Sequence, residues 1–578
     1  SFALTTAAGV APALSGWLVK NLIDAIASPA TGTAHAVKLG VASAAVAGGG
    51  LILGYAGGLL ATRMQNAITL YVQSRLYARI NRLSGLHLFE DPAFADRLRL
   101  AEDAATDAPA MIAEFALATV RSVVGIVSFV AILHAVWPPM NILLAVVAVT
   151  AVAVQLTVAR RESATIQANT ATQRRQLMYR RLLTDPAVAK EVRVFGLGDF
   201  FRVRMLGALR QATRAELAVH GRAALLQSGM AVVGTLVAAV GIGVVVARAI
   251  RGDVTAGDVT LFLTAVATVQ MATLTVVGQV QMAARSTRLF ANYLDVMAAP
   301  DLLKDGTATP APLRTGVVLE DVWFRYDHNG PWILRGVDLS IPAGGTLGLV
   351  GRNGAGKSTL VKLLCRFYDP DRGRILWDGV DIREYAVADL RRRVSTAFQD
   401  FGVYDLTVAE NIGVGDLDRV GDRYAYQRAA ALAGLDDDIA ALPRQYDTLL
   451  SRAFFHDDSE DGGVHLSGGQ NQRLALARTL MREQADLLIL DEPSSGLDAQ
   501  AEHHLYATLR EYRAGRTSVL ISHRLGAMRD ADLIVVLDGG VIAEQGSHDQ
   551  LMARAGIYAG LFELQAASYR DPALDAAR

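Results

Sequence analysis

Six long apolar runs in the first 300 residues constrain this chain more than any other feature. They are Ala8 to Ile26, Leu39 to Ala61, Phe115 to Val136, Ile142 to Val158, Leu225 to Ala247 and Val259 to Val280. A helix needs roughly 20 apolar residues to cross the hydrocarbon core of a bilayer. One such run suits the core of a large soluble protein; six with scarcely any internal charge do not. The expectation is an all-α domain of six membrane helices over residues 1–300, with the lipid bilayer as its solvent. Arg121 is the cation inside the third run, near one end, where its side chain would snorkel to the interface.

Orientation follows from the basic residues beside the spans. The block from Thr62 to Glu114 carries Arg63, Arg75, Arg79 and Arg82, and the block from Arg160 to Arg222 is richer still. Both are expected in the cytoplasm, and the remaining connections are short, although Arg248 and Arg251 cut against the rule. YVQSRLYARINRLSGLH spaces apolar residues three and four apart, so the membrane helices should extend into the cytosol. Each block contains a breaker-marked turn, around Pro92 and from Pro186 to Gly196. Short helices there would be docking points for a second domain, and helical hairpins closing a cytosolic bundle give the same pattern. The chain begins at Ser1, and its first apolar run has neither a basic n-region nor a clear cleavage site, so it reads as a span and not as a signal peptide.

The mean hydropathy of +0.27 hides a sharp division. Pro300 to Pro312, PDLLKDGTATPAP, is a polar linker (301–312), and residues 313–578 read as a soluble α/β domain. A formal net charge of -1 makes no case for nucleic acid. The single cysteine, Cys365, excludes an intrachain disulfide and any cysteine-built metal site.

In the second domain GLVGRNGAGKSTLVKLL matches the phosphate-binding loop pattern. Its members are Gly351, Arg352, Asn353, Gly354, Ala355, Gly356, Lys357, Ser358 and Thr359. A strand-like TLGLV precedes it and a helical pattern follows, the context in which backbone N–H groups and a helix N-terminus hold phosphate. Lys357 would reach the β- and γ-phosphates of ATP, and Ser358 would ligate Mg²⁺. LLILDEP, Leu487 to Pro493, has the pattern of a buried parallel strand with acids at its carboxyl edge. Asp491 would hold the metal there, and Glu492 would orient or deprotonate the attacking water. His523 ends another apolar strand, placed to contact the γ-phosphate. Gln399 lies in a polar loop, where its amide would serve either Mg²⁺ or the water. Tyr326 offers a ring for adenine, and a core tyrosine on an alternating strand explains it equally.

These elements, with LSGGQ at 466–470 and SSGLD at 494–498, stand in an order that closely resembles the ATP-binding cassette superfamily. With six spans on the same chain the whole resembles an exporter-type half-transporter. The resemblance implies a P-loop ATPase domain with a helical subdomain, and pairing with a second half-transporter as a homodimer or heterodimer. It implies that Ser467, Gly468, Gly469 and Gln470 meet the γ-phosphate bound by the partner and that Asp498 belongs to a loop crossing the dimer. It makes Glu492 the general base and Gln399 a coupling residue, and equates the segments at Pro92 and Pro186 to Gly196 with two coupling helices. Their wording resembles a bacterial exporter branch for peptides and other natural products, which implies a bacterial plasma membrane with the ATPase in the cytoplasm. The segment Leu449 to His465 departs from the family pattern by an added acidic patch, and the amino terminus is short of the elbow helix of relatives.

The leading expectation is ATP-driven export of a hydrophobic, amphipathic or peptidic compound. Import of a siderophore-like molecule on the same fold, and an ATP-regulated membrane protein that moves no cargo, are the alternatives. A soluble cassette ATPase of DNA repair or translation is disfavoured by the six spans. Gln155, Gln227, Gln270, Gln279, Gln281, Thr264, Thr268, Thr273 and Thr275 are the few polar handles in the spans, suited to an uncharged or amphipathic ligand or to holding helices together.

Overall fold

The computed structural model describes residues 2–28, 33–185, 188–451, 463–495, 497 and 499–569. The chain divides into two compact units, Ser1–Asn81 with Pro92–Ala299, and Arg82–Asp91 with Pro300–Arg578.

The first unit is built from long helices: α1 (Phe2–Ala27), α2 (Thr33–Asn81), α4 (Pro92–Val136), α5 (Pro139–Thr184), α7 (Gly198–Ile250) and α8 (Ala256–Ala298). The short α6 (Ala189–Val194) interrupts the series at one breaker-marked turn; the short α3 (His87–Glu90), at the other, belongs to the second unit. The long helices run well past their apolar runs, as the spacing of apolar residues in their polar extensions requires. Four stretches of the described residues are long and apolar enough to cross a membrane: Thr33–Asn81, Pro92–Ala135, Ala224–Ile250 and Ala256–Thr273. α1 spans 26 residues, and the apolar stretch of α5 among the described residues is Pro139–Thr150. Six long helices are therefore present where six apolar runs stand in the sequence, and four of them carry such a stretch among the described residues.

Phe129, Leu133, Met140, Phe262 and Val266 form the buried centre of this unit. Small residues let the helices approach: a Cβ on Gly50 would lie 2.8 Å from that of Ala11, so α1 and α2 touch only because Gly50 has none. Polar groups tie the ends of helices together. Lys20 on α1 pairs with Asp258 at 2.8 Å, and Asp24 accepts bonds from the Thr255 hydroxyl and the Gly257 N–H at the start of α8. Thr255 and Asp258 form a capping box there, so the first turn of α8 has its donors satisfied. Arg121 is exposed. The Gln270 amide donates to the Gly234 carbonyl at 3.0 Å, a bond between α8 and α7. The side chains of Gln155 and Gln281 lie outside the described residues.

The second unit is α/β. A four-stranded antiparallel sheet has the order β2-β1-β4-β5, from β1 (Gly316–Phe324), β2 (Leu334–Pro342), β4 (Arg372–Trp377) and β5 (Val380–Asp381). A six-stranded sheet has the order β10-β9-β3-β8-β7-β6. Its strands are β3 (Thr346–Gly351), β6 (Val394–Ala397), β7 (Leu487–Asp491), β8 (Thr517–Ile521), β9 (Leu533–Asp538) and β10 (Val541–Gly546). All of them but the edge strand β10 run parallel. β7 and β8 are buried along their whole length, which is why they read as unbroken apolar runs. A helical lobe of α11 (Val408–Gly413), α12 (Arg423–Leu432), α13 (Asp436–Ala440) and α14 (Gly468–Leu480) closes over Val408, Ile412, Ala429, Leu474 and Ala477. The remaining helices are α9 (Lys357–Leu364), α10 (Val387–Arg392), α15 (Ala499–Arg513), α16 (His548–Arg554) and α17 (Ile557–Tyr569).

Residues 301–312 are bonded into this unit. The fully buried Arg366 donates to the carbonyls of Lys304 and Tyr385, both at 2.7 Å, and pairs with Asp369. The Asp305 carboxylate accepts from Val387 N–H at 2.7 Å.

Candidate active site

The site lies at the carboxyl ends of the parallel strands, the place where open α/β sheets bind ligands. β3 sits at the centre of the sheet and turns into the loop 352–356, which leads into α9. Gly356 begins that helix with φ +105°, and a Cβ there would come within 2.7 Å of Leu334, so a side chain is barred by backbone and by packing. Without a capping side chain, the first N–H groups of α9 face outward with the helix dipole behind them. Arg352, Asn353, Gly354 and Ser358 are exposed around this opening, while Ala355 and Thr359 are buried beneath it.

Lys357 is buried, and its ammonium bridges the loop by donating to the carbonyls of Gly351 at 2.7 Å and Arg352 at 3.1 Å. Burial lowers its pKa, and Glu492 and Asp491 work against that fall. The two acids end β7. Asp491 is 6% exposed, and burial together with the adjacent Glu492 pushes its pKa up to about 6 in spite of Lys357.

Glu492 is held more tightly than its neighbours suggest. Its backbone has φ +52°, rare for a residue with a side chain. Its N–H donates to Ile521 O at 2.9 Å on β8, and its carbonyl accepts from the Gln472 amide at 2.8 Å. These bonds fix a strained peptide and aim the carboxylate outward. His523 Nε2 lies 2.8 Å from one carboxylate oxygen and Gln399 Nε2 donates to the other at 3.1 Å. Lys357, Asp491, Glu492, Gln399 and His523 thus come together from four segments of sequence. Gln472 was not singled out from sequence, because a glutamine in an amphipathic helix carries no sign of a contact twenty residues away.

Tyr326 hydrogen-bonds Thr359 on α9 through its hydroxyl at 3.0 Å, and Lys362 sits 5.1 Å from its ring centre. The ring is 45% exposed, so one side is open to a planar ligand. The same lysine pairs with Glu90 at 2.7 Å, and Glu90 also accepts from the Tyr368 hydroxyl. His87 stacks on Tyr368 with centroids 5.8 Å apart, and Arg391 donates to Ser84 O at 2.7 Å. Segment 82–91 is therefore fastened to the helix that follows the phosphate loop.

Ser467 caps α14. Its hydroxyl accepts from Gln470 N–H at 3.3 Å and its own N–H donates to the Gln470 amide oxygen at 2.8 Å. Ser467 and Gly468 are exposed, Gly469 is half-buried, and the Gln470 amide donates to Asp438 on α13 at 2.7 Å. This helix start is a finished surface, with its own bonds turned inward. Asp498, Pro186 and residues 452–462 of the acidic segment lie outside the described residues.

Among the described residues no three His, Cys, Asp or Glu side chains cluster as a metal cage. Mg²⁺ fits what is present in another way. The Ser358 hydroxyl, the Gln399 amide oxygen and the Asp491 carboxylate are the hard oxygen donors that it takes in ones and twos beside substrate phosphates. A buried carboxylate with a raised pKa beside a second acid is a site whose charge a divalent cation would balance.

A phosphate loop on a parallel sheet, acids at the end of the next strand but one, and a helical lobe define a P-loop ATPase domain. Residues 334–495 match the protein family described as ABC transporter. The ATP-dependent lipid A-core flippase of Chromohalobacter salexigens is 42% identical over 270 residues, 47% of this chain and 45% of that protein. The flippase of the same description from Aromatoleum aromaticum is 35% identical over 380 residues, 65% of this chain and 60% of that protein. The matched stretches thus span about half the length of these curated relatives. A solved structure described as a bacterial Atm1-family ABC exporter with ATP bound superposes with a TM-score of 0.85 at 26% identity, covering 99% of this chain and 98% of that one. Residues 334–495 are thus an ABC transporter domain, and the chain as a whole has the fold of the ABC exporter on which it superposes.

Proposed function

We propose that this protein hydrolyses ATP to drive export of a hydrophobic or amphipathic compound across a bacterial inner membrane, as one half of a dimer with its ATPase in the cytoplasm. The observation that carries the reading is Glu492, an acid oriented by Gln399 and His523 beside Lys357 and the phosphate loop. The relatives named as lipid A-core flippases, whose cargo is an amphipathic lipid, favour a lipid-like compound over a peptide.

In this reading the loop N–H groups and the α9 terminus hold the phosphates, and Lys357 exchanges its two carbonyl partners for phosphate oxygens. Bound Mg²⁺ would balance phosphate charge, with Ser358, Gln399 and Asp491 holding it. Glu492 orients the attacking water and takes its proton. His523 fixes the carboxylate and lies on the γ-phosphate side. Tyr326 stacks on adenine. Ser467, Gly468, Gly469 and Gln470 supply donors to the nucleotide of the second half-transporter, and Asp498 belongs to the loop between the halves. Segments 82–91 and 188–196 act as coupling segments, the first through Glu90 and Lys362.

Glu492→Gln tests the reading in purified protein in lipid: hydrolysis should fall at least about a hundredfold while ATP binding persists. Near-normal turnover in that variant would sink Glu492 as the base. ATP-dependent uptake of fluorescent lipid into inside-out vesicles gives the direction; loss of cargo from the vesicle lumen would mean import.

A further inference from the structure

His523 is 51% exposed, so packing alone does not hold its ring against Glu492. What holds it is the backbone on its C-terminal side. Ser522 Oγ accepts from Arg524 N–H at 2.9 Å, and the next two polar groups are taken by one distant side chain. Gln565, on α17, accepts from Leu525 N–H at 2.7 Å and donates to His523 O at 2.9 Å. Its amide spans Arg524 and grips the peptide on either side of it.

The helix that carries this amide is itself fixed. Tyr558 is fully buried and its hydroxyl meets His548 Nδ1 at 2.9 Å. Tyr558 shares one apolar cluster with Leu525, Met528 and Leu551, and Leu561 packs against it. The loop after β8 is thus held from below by apolar packing of Leu525 and Met528, and from the side by two hydrogen bonds from α17. A residue 42 positions downstream sets where His523 can stand.

We infer that Gln565 is a positioning residue for hydrolysis, a clamp from the C-terminal helix that keeps His523 within reach of Glu492. The inference rests on the proposed ATPase reading for its consequence, and on geometry alone for the clamp. Both partners are backbone groups, so the clamp does not depend on the identity of Arg524. A glutamine is suited to it because one amide carries a donor and an acceptor side by side.

The test uses the full chain in lipid nanodiscs. Gln565→Met keeps the length and packing of the side chain and removes both bonds. A lost hydrogen bond of this kind is worth about 1 kcal/mol, so kcat should fall roughly five- to tenfold with KM for ATP unchanged. Amide exchange at Leu525 should quicken by a similar factor, read without any turnover. Gln565→Glu keeps the acceptor for Leu525 N–H but loses the donor to His523 O, so it should restore protection at Leu525 while kcat stays reduced. In a His523→Ala background Gln565→Met should cost nothing further, because the residue being positioned is gone. Equal losses in both backgrounds, or unchanged exchange at Leu525 in the Met variant, overturn the clamp. An unaltered chain that does not hydrolyse ATP speaks against the proposed function, and the exchange result still decides the clamp.

Discussion

Two aspartates that end strands in the second unit are treated in opposite ways. Asp378 follows β4 in the two-residue turn to β5, with Gly379 beside it; their φ values of +49° and +84° are those of an Asp-Gly hairpin turn. Its carboxylate accepts four bonds, from Arg314 N–H at 2.9 Å, Thr315 N–H at 2.7 Å, the Thr315 hydroxyl at 2.6 Å and Gly316 N–H at 3.0 Å. Burial pushes its pKa up, but those donors outweigh it and bring it down to about 2. Asp491 ends β7, and burial with a neighbouring acid takes it up to about 6. One carboxylate is satisfied by its own chain; the other is left with charge unbalanced where phosphate and cation would meet. The difference separates an acid that builds the fold from one that the proposed function assigns to chemistry.

The largest test of that contrast is Asp491→Asn. Hydrolysis should fall at least about a hundredfold, and the Mg²⁺ requirement should disappear with it. The wild-type affinity for Mg²⁺ should weaken as pH falls through about 6, because the proton competes for the same oxygen. An affinity flat from pH 8 to pH 5 would remove Asp491 from the metal site. Second in size is Ser467→Arg. Its position is exposed, so the fold should survive, yet hydrolysis should fall at least about tenfold if that helix start faces a second nucleotide. Normal turnover in Ser467→Arg, with dimer formation intact, would break the composite-site reading.

Third comes the effect of Asp491→Asn on stability, which has the opposite sign to its effect on activity. The folded pKa is raised above the unfolded value of 3.8, so the ionised form burdens the fold at neutral pH. The variant should be more stable by about 2 kcal/mol at pH 7.5 in EDTA, allowing for partial solvent access. That gain should fade as pH falls from about 6 towards 3.8, where the acid becomes protonated in both states. Thermal melts at three pH values read it.

How much of this was legible in sequence depends on whether a signal is local. The six helices were legible because apolar runs of twenty residues are a statement about solvent, made residue by residue. Their extension beyond the apolar runs was legible in the three-and-four spacing of YVQSRLYARINRL, which α2 follows to Asn81. The phosphate loop and the acids of β7 were legible because a backbone that must turn without Cβ atoms and a strand buried on both faces each restrict residue type. What joins them was not. Gln472 reaches Glu492 across 20 residues and Gln565 reaches His523 across 42, and helix surfaces carry many glutamines with no such contact. The anchoring of segment 82–91 by Glu90 and Lys362 spans 272 residues and rests on one ion pair among many possible ones.

Asp378→Asn is the smallest expected effect and the cleanest control for the comparison. The substitution keeps the turn, since asparagine takes positive φ readily. It replaces a charged acceptor of four donors by a neutral amide that can accept through one oxygen only. The loss should be about 1–2 kcal/mol of stability at pH 7, with no change in kcat, because the turn lies in the antiparallel sheet, outside the catalytic groups. The sign of its pH dependence is fixed by the lowered pKa. The stabilisation is fully present above 3.8 and is lost as pH falls to about 2, so wild type and variant should converge in acid. The Asp491 variant should gain stability at neutral pH and the Asp378 variant should lose it, and both differences should close on acidification. If Asp378→Asn instead lowered kcat without lowering stability, the assignment of one acid to the fold and the other to chemistry would be wrong.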